Sequence, residues 1–283
     1  MKSFTLAVFF ITGLTALNAQ EFSSGGAAAA AQGGSSLFMS DAFSFYNNQA
    51  GLVWVSAAEA GVFVENRFLV NELNRAGGVF VLPTEKSGVF GFGFSSFGYS
   101  LYSRSKVGFA YARQLGSNIS GGVQLNYHRL RFGNNYGNKG VPSVDLGMQA
   151  LLTKELAFAF QLINPTQSKI TDAPEERIPT ILRIGLGYRA SEKTLITSEV
   201  EKDMFYPASV KAGIEYLAGE RIFFRAGISS NPNRAAFGFG LLLKSVRIDF
   251  ASQYHQVLGF TPTFNLSYNF KGEKQGLGVW QNR

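Results

Sequence analysis

The chain contains no cysteine, which excludes a disulfide framework, a thiolate metal site and a cysteine nucleophile. Histidine is almost as scarce, with only His128 and His255. Charged residues are few as well, 16% of the chain against 46% hydrophobic and 14% aromatic, yet beyond the first segment no apolar run reaches the ~18 residues that mark a spanning helix. Stability must therefore come from packing or from closure of a hydrogen-bonded ladder. The apolar residues must also be dispersed by some regular pattern. The net charge of +7 invites a nucleic-acid reading, but the basic residues are scattered singly instead of clustered, which argues against it.

Residues 1–19 read as a secretory signal, with Lys2 at the start, an apolar stretch from Phe4 to Leu17 and the small residue Ala19 at the cleavage end. The stretch is shorter than the ~20 residues of a membrane-spanning helix. No cysteine follows it, so lipoprotein processing is excluded.

From about Ala60 to Lys271 the dominant pattern is a period of two. Phe264, Leu266, Tyr268 and Phe270 oppose Thr263, Asn265, Ser267 and Asn269, and Val246, Ile248, Phe250 and Tyr254 oppose Arg247, Asp249, Gln253 and His255. Similar runs are centred on Phe92, Phe109, Leu125, Leu146, Phe158, Ile184, Ile214, Phe224 and Phe239. Turn signals fall between them at Gly116-Ser117-Asn118, Ala190-Ser191-Glu192, Ala218-Gly219-Glu220 and Asn231-Pro232-Asn233, with longer polar stretches at 134–140 and 166–179. At ~10 residues per strand and ~5 per connection, this length accommodates about fourteen strands. Soluble sandwiches and lipocalin-like barrels alternate too. The signal, the strand number and the abundance of Phe and Leu favour an all-β fold of the opposite polarity, a transmembrane antiparallel barrel with its apolar face outward.

On that assignment the charges lying opposite the apolar rows face the lumen: Glu65, Arg67, Asp145, Arg183, Arg189, Lys211, Glu215, Arg221, Arg225, Arg247 and Asp249. Tyr188, Tyr216, Tyr254 and Tyr268 fall near strand ends, where interfacial girdles form. Residues 20–59 do not alternate. There Ser23-Ser24-Gly25-Gly26 leads into Ala27–Ala31 and Gly33-Gly34, then into Asp41-Ala42-Phe43-Ser44-Phe45-Tyr46 and Asn47-Asn48-Gln49-Ala50-Gly51-Leu52. Small residues permit close backbone packing, and the amides bond within a confined polar space, so this segment is expected to fold into the barrel as a plug. Residues 272–283 form a C-terminal tail.

The glycine-rich start with Asp41-Ala42 and Asn47 to Leu52 resembles the N-terminal motif of long-chain fatty-acid transporter (FadL-like) barrels. Pro179 to Tyr188, Val210 to Tyr216, Arg225-Ala226-Gly227 and Ile248 to Ala251 resemble the PorV and PorQ branch associated with type IX secretion. The resemblance implies fourteen strands, an N-terminal hatch that includes Asp41, Phe45, Asn47, Asn48, Gln49, Ala50 and Gly51, and a source among the Bacteroidota. It departs from the family at Gln49, where the motif usually has proline, so a rigid turn is expected to be lost.

No catalytic constellation emerges. Asp249 shares a face with His255 but lies six residues away, roughly 20 Å along a strand, and Ser252 has the opposite parity. The pairs Gly91/Gly93, Gly185/Gly187 and Gly238/Gly240 open no helix and fit no phosphate loop; they read as strand glycines that let a plug approach the wall. No enzyme activity, cofactor or metal is expected. The reading is an accessory of type IX secretion or a related envelope process, with partners among secretion-system proteins and outer-membrane lipid. The alternative is a transporter for hydrophobic small molecules such as fatty acids, and a lipid-linked enzyme comes third. Transport calls for an apolar pocket behind the plug with an exit; a secretion role calls for a filled barrel. Full-length protein is expected in the outer-membrane fraction with a compact, heat-sensitive mobility on gels. Recovery as a soluble periplasmic protein would reverse the inside-out assignment.

Overall fold

In the computed structural model, residues 25–133, 138–170 and 177–272 are described. The signal segment, Ser23-Ser24, most of the C-terminal tail and parts of the two long polar stretches lie outside them. Fourteen antiparallel strands close into one barrel. They are β1 Glu59–Asn66, β2 Asn74–Thr84, β3 Gly88–Gly98, β4 Tyr102–Gln114, β5 Ile119–Phe132, β6 Asn138–Leu151, β7 Leu156–Ile163, β8 Ile181–Ser191, β9 Thr194–Asp203, β10 Ser209–Ala218, β11 Ile222–Ser230, β12 Asn233–Leu243, β13 Val246–His255 and β14 Gly259–Asn269. Each strand pairs with its sequence neighbours, and β1 pairs with both β2 and β14, so no edge is left open. An open edge in lipid would leave backbone N–H and C=O groups without partners, at several kcal/mol each.

The alternation read from the sequence is the alternation of the wall. Phe92, Phe109, Leu125, Ile184, Phe239 and Leu266 point outward and are 41–58% exposed, while Gln124, Asn126, Asp145, Arg183, Lys211, Arg225 and Asp249 point inward and are buried. This polarity is inside-out for a water-soluble protein and right for a hydrocarbon solvent. Exposed Tyr188, Tyr216 and Tyr268 stand near the end of the barrel with short connections, and Tyr254 stands toward the other end. The short connections are 85–87, 115–118, 152–155, 192–193, 219–221 and 244–245; the opposite end carries the longer 67–73 and 164–180.

Strands β1, β2 and β9 produce no clean run in the sequence. In β9 the inward row is Leu195, Thr197, Glu199 and Glu201 and the outward row includes Ser198, so neither face is uniform. Two expectations require correction. Arg221 is not luminal: it lies between β10 and β11 and is exposed, because the hairpin turn carries it beyond the barrel. Asn138, Lys139 and Gly140 are not loop but the start of β6, paired with Arg131, Leu130 and Arg129, since β5 extends past its neighbours and offers them a ladder.

Nearly every residue from Gly25 to Ala57 is buried inside the barrel. The alanine run forms a five-residue helix, α1 Ala27–Ala31, packed on Ala251 and against β11 to β14. A second short helix, α2 Ser44–Asn47, is followed by a 3₁₀ turn at Gln49–Trp54 packed on β3 to β6. The wall makes room by omitting side chains. The Gln32–Gly33 backbone lies so close to Gly227 that a Cβ there would collide with Gln32, and Asn48 occupies the space a side chain on Gly147 would need. The three spaced glycine pairs also face the interior, Gly91 and Gly93 beneath Phe45, Gly185 and Gly187 beneath Leu37 and Phe38, and Gly238 beneath Ala31.

A charge placed on the outward face tests this polarity. Phe239→Arg, in the middle of β12, is expected to destabilise the barrel in lipid vesicles by about 2–4 kcal/mol, whereas Glu85→Arg in an exposed turn is expected to change it by no more than about 0.5 kcal/mol. Equilibrium unfolding by urea in vesicles reads both.

Candidate functional site in the plugged lumen

The plug motif is held mainly by side-chain amides. Asn47 is fully buried; its Nδ2 donates to the carbonyls of Gly25 at 2.8 Å and Phe43 at 2.9 Å, and its Oδ1 accepts from the Gly25 N–H at 3.0 Å. This bond set staples the start of the plug to α2. Asn48 bonds outward, with Nδ2 donating to the carbonyls of Leu37 and Met148, while its Oδ1 accepts from the Ala50 N–H at 3.2 Å. Gln49 corrects a sequence expectation. The turn survives without proline because the Asn48 side chain caps the 3₁₀ turn, and the Gln49 amide joins the plug to the wall. Its Nε2 donates to Phe45 O and Gln124 Oε1, and its Oε1 accepts from Gln161 Nε2. Trp54 Nε1 donates to Gln149 Oε1 at 2.8 Å, and Gln149 Nε2 donates onward to Leu37 O. Ala50 and Gly51 are buried in the turn, where a Cβ on Gly51 would strike the Met39 carbonyl.

Two ionic networks cross from wall to plug. In the first, Arg183, fully buried, meets Glu199 at 2.6 Å and Glu201 at 3.4 Å, and Lys211 meets Glu201 at 2.6 Å. The same guanidinium donates to the plug at Asn47 O (3.0 Å), Gly34 O (3.4 Å) and Ser36 Oγ (2.6 Å), and to Gln161 Oε1 on the wall (2.7 Å). In the second, Arg225 pairs with Glu215 and with Asp249 (2.8 Å), Arg247 pairs with Asp249 (2.9 Å), and Arg247 reaches Asp41 on the plug (3.5 Å). Asp41 Oδ1 also accepts from the Phe43 N–H at 3.0 Å, which shapes the entry to α2. Both Arg225 and Arg247 stack on the Phe223 ring at 4.9 and 4.8 Å. Arg189 stands apart, half-buried at the short-turn mouth beside a register shift.

The carboxylates Glu199 and Glu201 and the amides Gln124, Gln149 and Gln161 were missing from the sequence-derived site. Their signal was present in Glu199-Val200-Glu201, two carboxylates of one parity flanking an apolar residue. The histidines serve locally: His128 Nε2 lies 2.9 Å from Ser143 Oγ, and His255 Nδ1 accepts from the N–H groups of Val257 and Leu258.

The lumen has two sides. Beneath β8 to β13 it is ionic. Beneath β1 to β4 an apolar cluster forms, where Phe43, Phe45, Tyr46 and Leu52 of the plug pack on Phe63, Val79, Val81, Val89, Ala110 and Ala112; charges edge it, with Glu59 and Glu65 buried on β1, Arg75 over the Phe63 ring at 5.0 Å and Lys106 over the Tyr46 ring at 5.8 Å. On the outside of that apolar sector a recess of about 350 Å³ opens, floored by Gly78 and walled by Val62, Phe80, Phe92, Phe94, Leu266 and Tyr268. Inside, two small cavities measure about 20 Å³, beside Asp41 and Arg247, and about 10 Å³, at the rim near Glu65 and His255.

A closed fourteen-stranded antiparallel barrel, apolar outside and filled by its own N-terminal segment, is a fold shared with FadL-like outer-membrane barrels. No protein-family profile matches the chain, and no curated relative does. Solved structures do match in fold. A monoaromatic hydrocarbon channel, CymD, has a TM-score of 0.67 at 13% identity, with 87% of this chain and 97% of that chain covered. The Pseudomonas putida toluene transporter TodX has a TM-score of 0.60 at 13% identity, covering 88% and 99%. A Pseudomonas aeruginosa FadL homologue has a TM-score of 0.60 at 11% identity, covering 87% and 98%.

Arg183 is the point at which plug and wall are most tightly joined. Arg183→Gln leaves Glu199 and Glu201 with Lys211 as their remaining cation in this network and is expected to cost about 3–5 kcal/mol, seen as a lower temperature for loss of the compact gel form. Asp41→Asn is expected to cost less, because Arg247 keeps Asp249.

Proposed function

We propose that the protein is an outer-membrane channel for hydrophobic small molecules, shut by its plug in the conformation described. The observation that carries this reading is the thin apolar wall between the outer recess and the aromatic plug residues. At Gly61 a Cβ would lie 2.8 Å from the Phe43 ring, and the Tyr46 hydroxyl lies 2.6 Å from the carbonyls of both Gly78 and Phe94. One layer of backbone therefore separates an apolar recess facing the membrane from the apolar half of the lumen. A hydrophobic molecule would meet the ion pairs beneath β8 to β13 only by leaving that cluster, whose own edge carries Arg75 and Lys106 over the rings of Phe63 and Tyr46, and dehydrating those charges is costly. Hydrocarbon and toluene channels among the fold's neighbours agree with this substrate class.

Passage requires the plug to shift, since the apolar sector is packed and the plug is tied at Arg183 and Arg247. A second reading, an accessory of protein secretion, draws on that filled lumen and on the resemblance to the PorV and PorQ branch. It predicts no flux and a stable protein partner.

Uptake of an aromatic hydrocarbon and of a long-chain fatty acid into vesicles containing the protein discriminates the two. Wild type is expected to accelerate entry several-fold over empty vesicles, and Gly78→Leu, which fills the recess, to abolish most of the gain. Uptake equal to that of empty vesicles, with a partner retained on purification, would favour the secretion reading.

A further inference from the structure

On the outer surface the apolar band ends abruptly along β3 to β6. Phe94, Val107, Leu125 and Tyr127 are exposed and outward. Above them, toward the end with the longer loops, the outward positions become Ser96 on β3, Ser105 and Ser103 on β4, Arg129 and Arg131 on β5, and Gly140 and Asn138 on β6. The register places these residues side by side: Arg129 lies between Ser105 and Gly140, and Arg131 between Ser103 and Asn138. Among the described residues this patch holds no carboxylate.

Both arginines are exposed, and no ion pair or hydrogen bond engages their guanidinium groups among the described residues. They contrast with Arg183, Arg225 and Arg247, each of which meets carboxylates inside the barrel. Their Cα atoms are about 7 Å apart on one face of a strand, a span over which two guanidinium forks converge on one tetrahedral oxyanion. At Gly140, opposite Arg129, the space a side chain would take is filled by the Tyr127 hydroxyl, which therefore stands beside the Arg129 position. Serine hydroxyls at 103 and 105 add donors that also accept, suited to a phosphate whose protonation varies.

We infer that Arg129 and Arg131 form a binding site for the phosphorylated headgroup of a membrane lipid. The occupant is settled by continuity. A free anion would use only the arginines, whereas this site stands directly on the apolar band, and Phe92 and Phe94 beside it also wall the outer recess. A lipid bound here places its acyl chains on Phe94, Val107 and Leu125 and its phosphate between Arg129 and Arg131, two and four residues beyond Tyr127 on β5, the ring that marks the water boundary. In outer-membrane barrels the longer loops face outward, so the lipid belongs to the outer leaflet, and the site orients the recess toward that leaflet. The inference rests on the membrane-barrel reading.

The test uses full-length protein extracted from outer membranes in mild detergent and read by native mass spectrometry, then titrated in nanodiscs with a phosphorylated glycolipid and with its dephosphorylated form. Arg129→Gln/Arg131→Gln is compared with wild type and with Arg113→Gln, an exposed outward arginine near the short-turn end of β4. Compact heat-sensitive mobility shows that each variant is folded, and the single variant Arg129→Lys, which keeps the charge but loses the fork, is expected to bind with intermediate affinity. Wild type and Arg113→Gln are expected to retain the phosphorylated lipid, and the double variant to bind it at least about tenfold more weakly, the loss of one charge-assisted contact or more. Equal affinity for the dephosphorylated lipid, equal binding of free inorganic phosphate in place of the lipid, or equal retention by the double variant overturns the site while leaving the barrel reading intact. Failure of wild type to enter the membrane in heat-sensitive form overturns both.

Discussion

The antiparallel ladder between β1 and β14 is the constraint on which the rest depends. It joins the first strand to the last, Glu59 opposite Asn269 and Val64 opposite Phe264, and so removes the only edges the sheet has. In hydrocarbon, backbone groups have no solvent to turn to, and closure is the only arrangement of strands that satisfies them. Once the sheet is closed, each residue of period two must choose lipid or lumen. Phe, Leu and Val dominate the first, and the paired charges such as Arg183, Arg225, Glu199 and Asp249 take the second, outward arginines appearing toward the strand ends at Arg113, Arg129 and Arg131.

That confinement creates the second constraint. A lumen lined with Arg183, Arg225, Arg247, Lys211 and the carboxylates that face them is stable only if each charge finds partners, because an unpaired ion in a narrow, poorly hydrated interior is destabilising by several kcal/mol. The plug supplies part of what the wall lacks. Carbonyls at Gly34 and Asn47 and the hydroxyl of Ser36 complete the shell of Arg183, and Asp41 contributes to that of Arg247. The plug is thus as much a ligand of the wall's charges as an obstruction.

The same division of charge makes the lumen two-sided. The ionic half holds the plug by directional bonds whose loss is expensive. The apolar half, Phe43, Phe45 and Tyr46 against Phe63 and the valines of β2 and β3, holds it by packing, which is non-directional and accommodates a hydrophobic guest in place of a side chain. The proposed route for apolar molecules and a firm anchor for the plug can coexist because they occupy different sectors. The outer recess falls over the apolar one.

Much of this was legible in the residues alone. Strict alternation through Phe264 to Phe270 and Val246 to Phe250 follows from strand geometry and needs no tertiary information, and the non-alternating, alanine- and glycine-rich segment before it announced a different role. The inward parity of Arg183, Lys211 and Asp249 followed likewise. Strand β9 escaped notice because its inward row mixes Leu195 with two glutamates, and Arg221 was misplaced because parity is meaningless once the chain turns. What the sequence could not decide is who meets whom. Arg183 bonds to Glu199 sixteen residues onward and to Asn47 136 residues back, and Gln49, read as the loss of a turn, keeps that turn through Asn48 and uses its amide to reach Gln124 and Gln161. Local pattern determined which face each residue takes, since period two is a property of the strand. Only closure of the barrel decided the partners, because curvature and register bring distant strands and the plug to the same few ångströms.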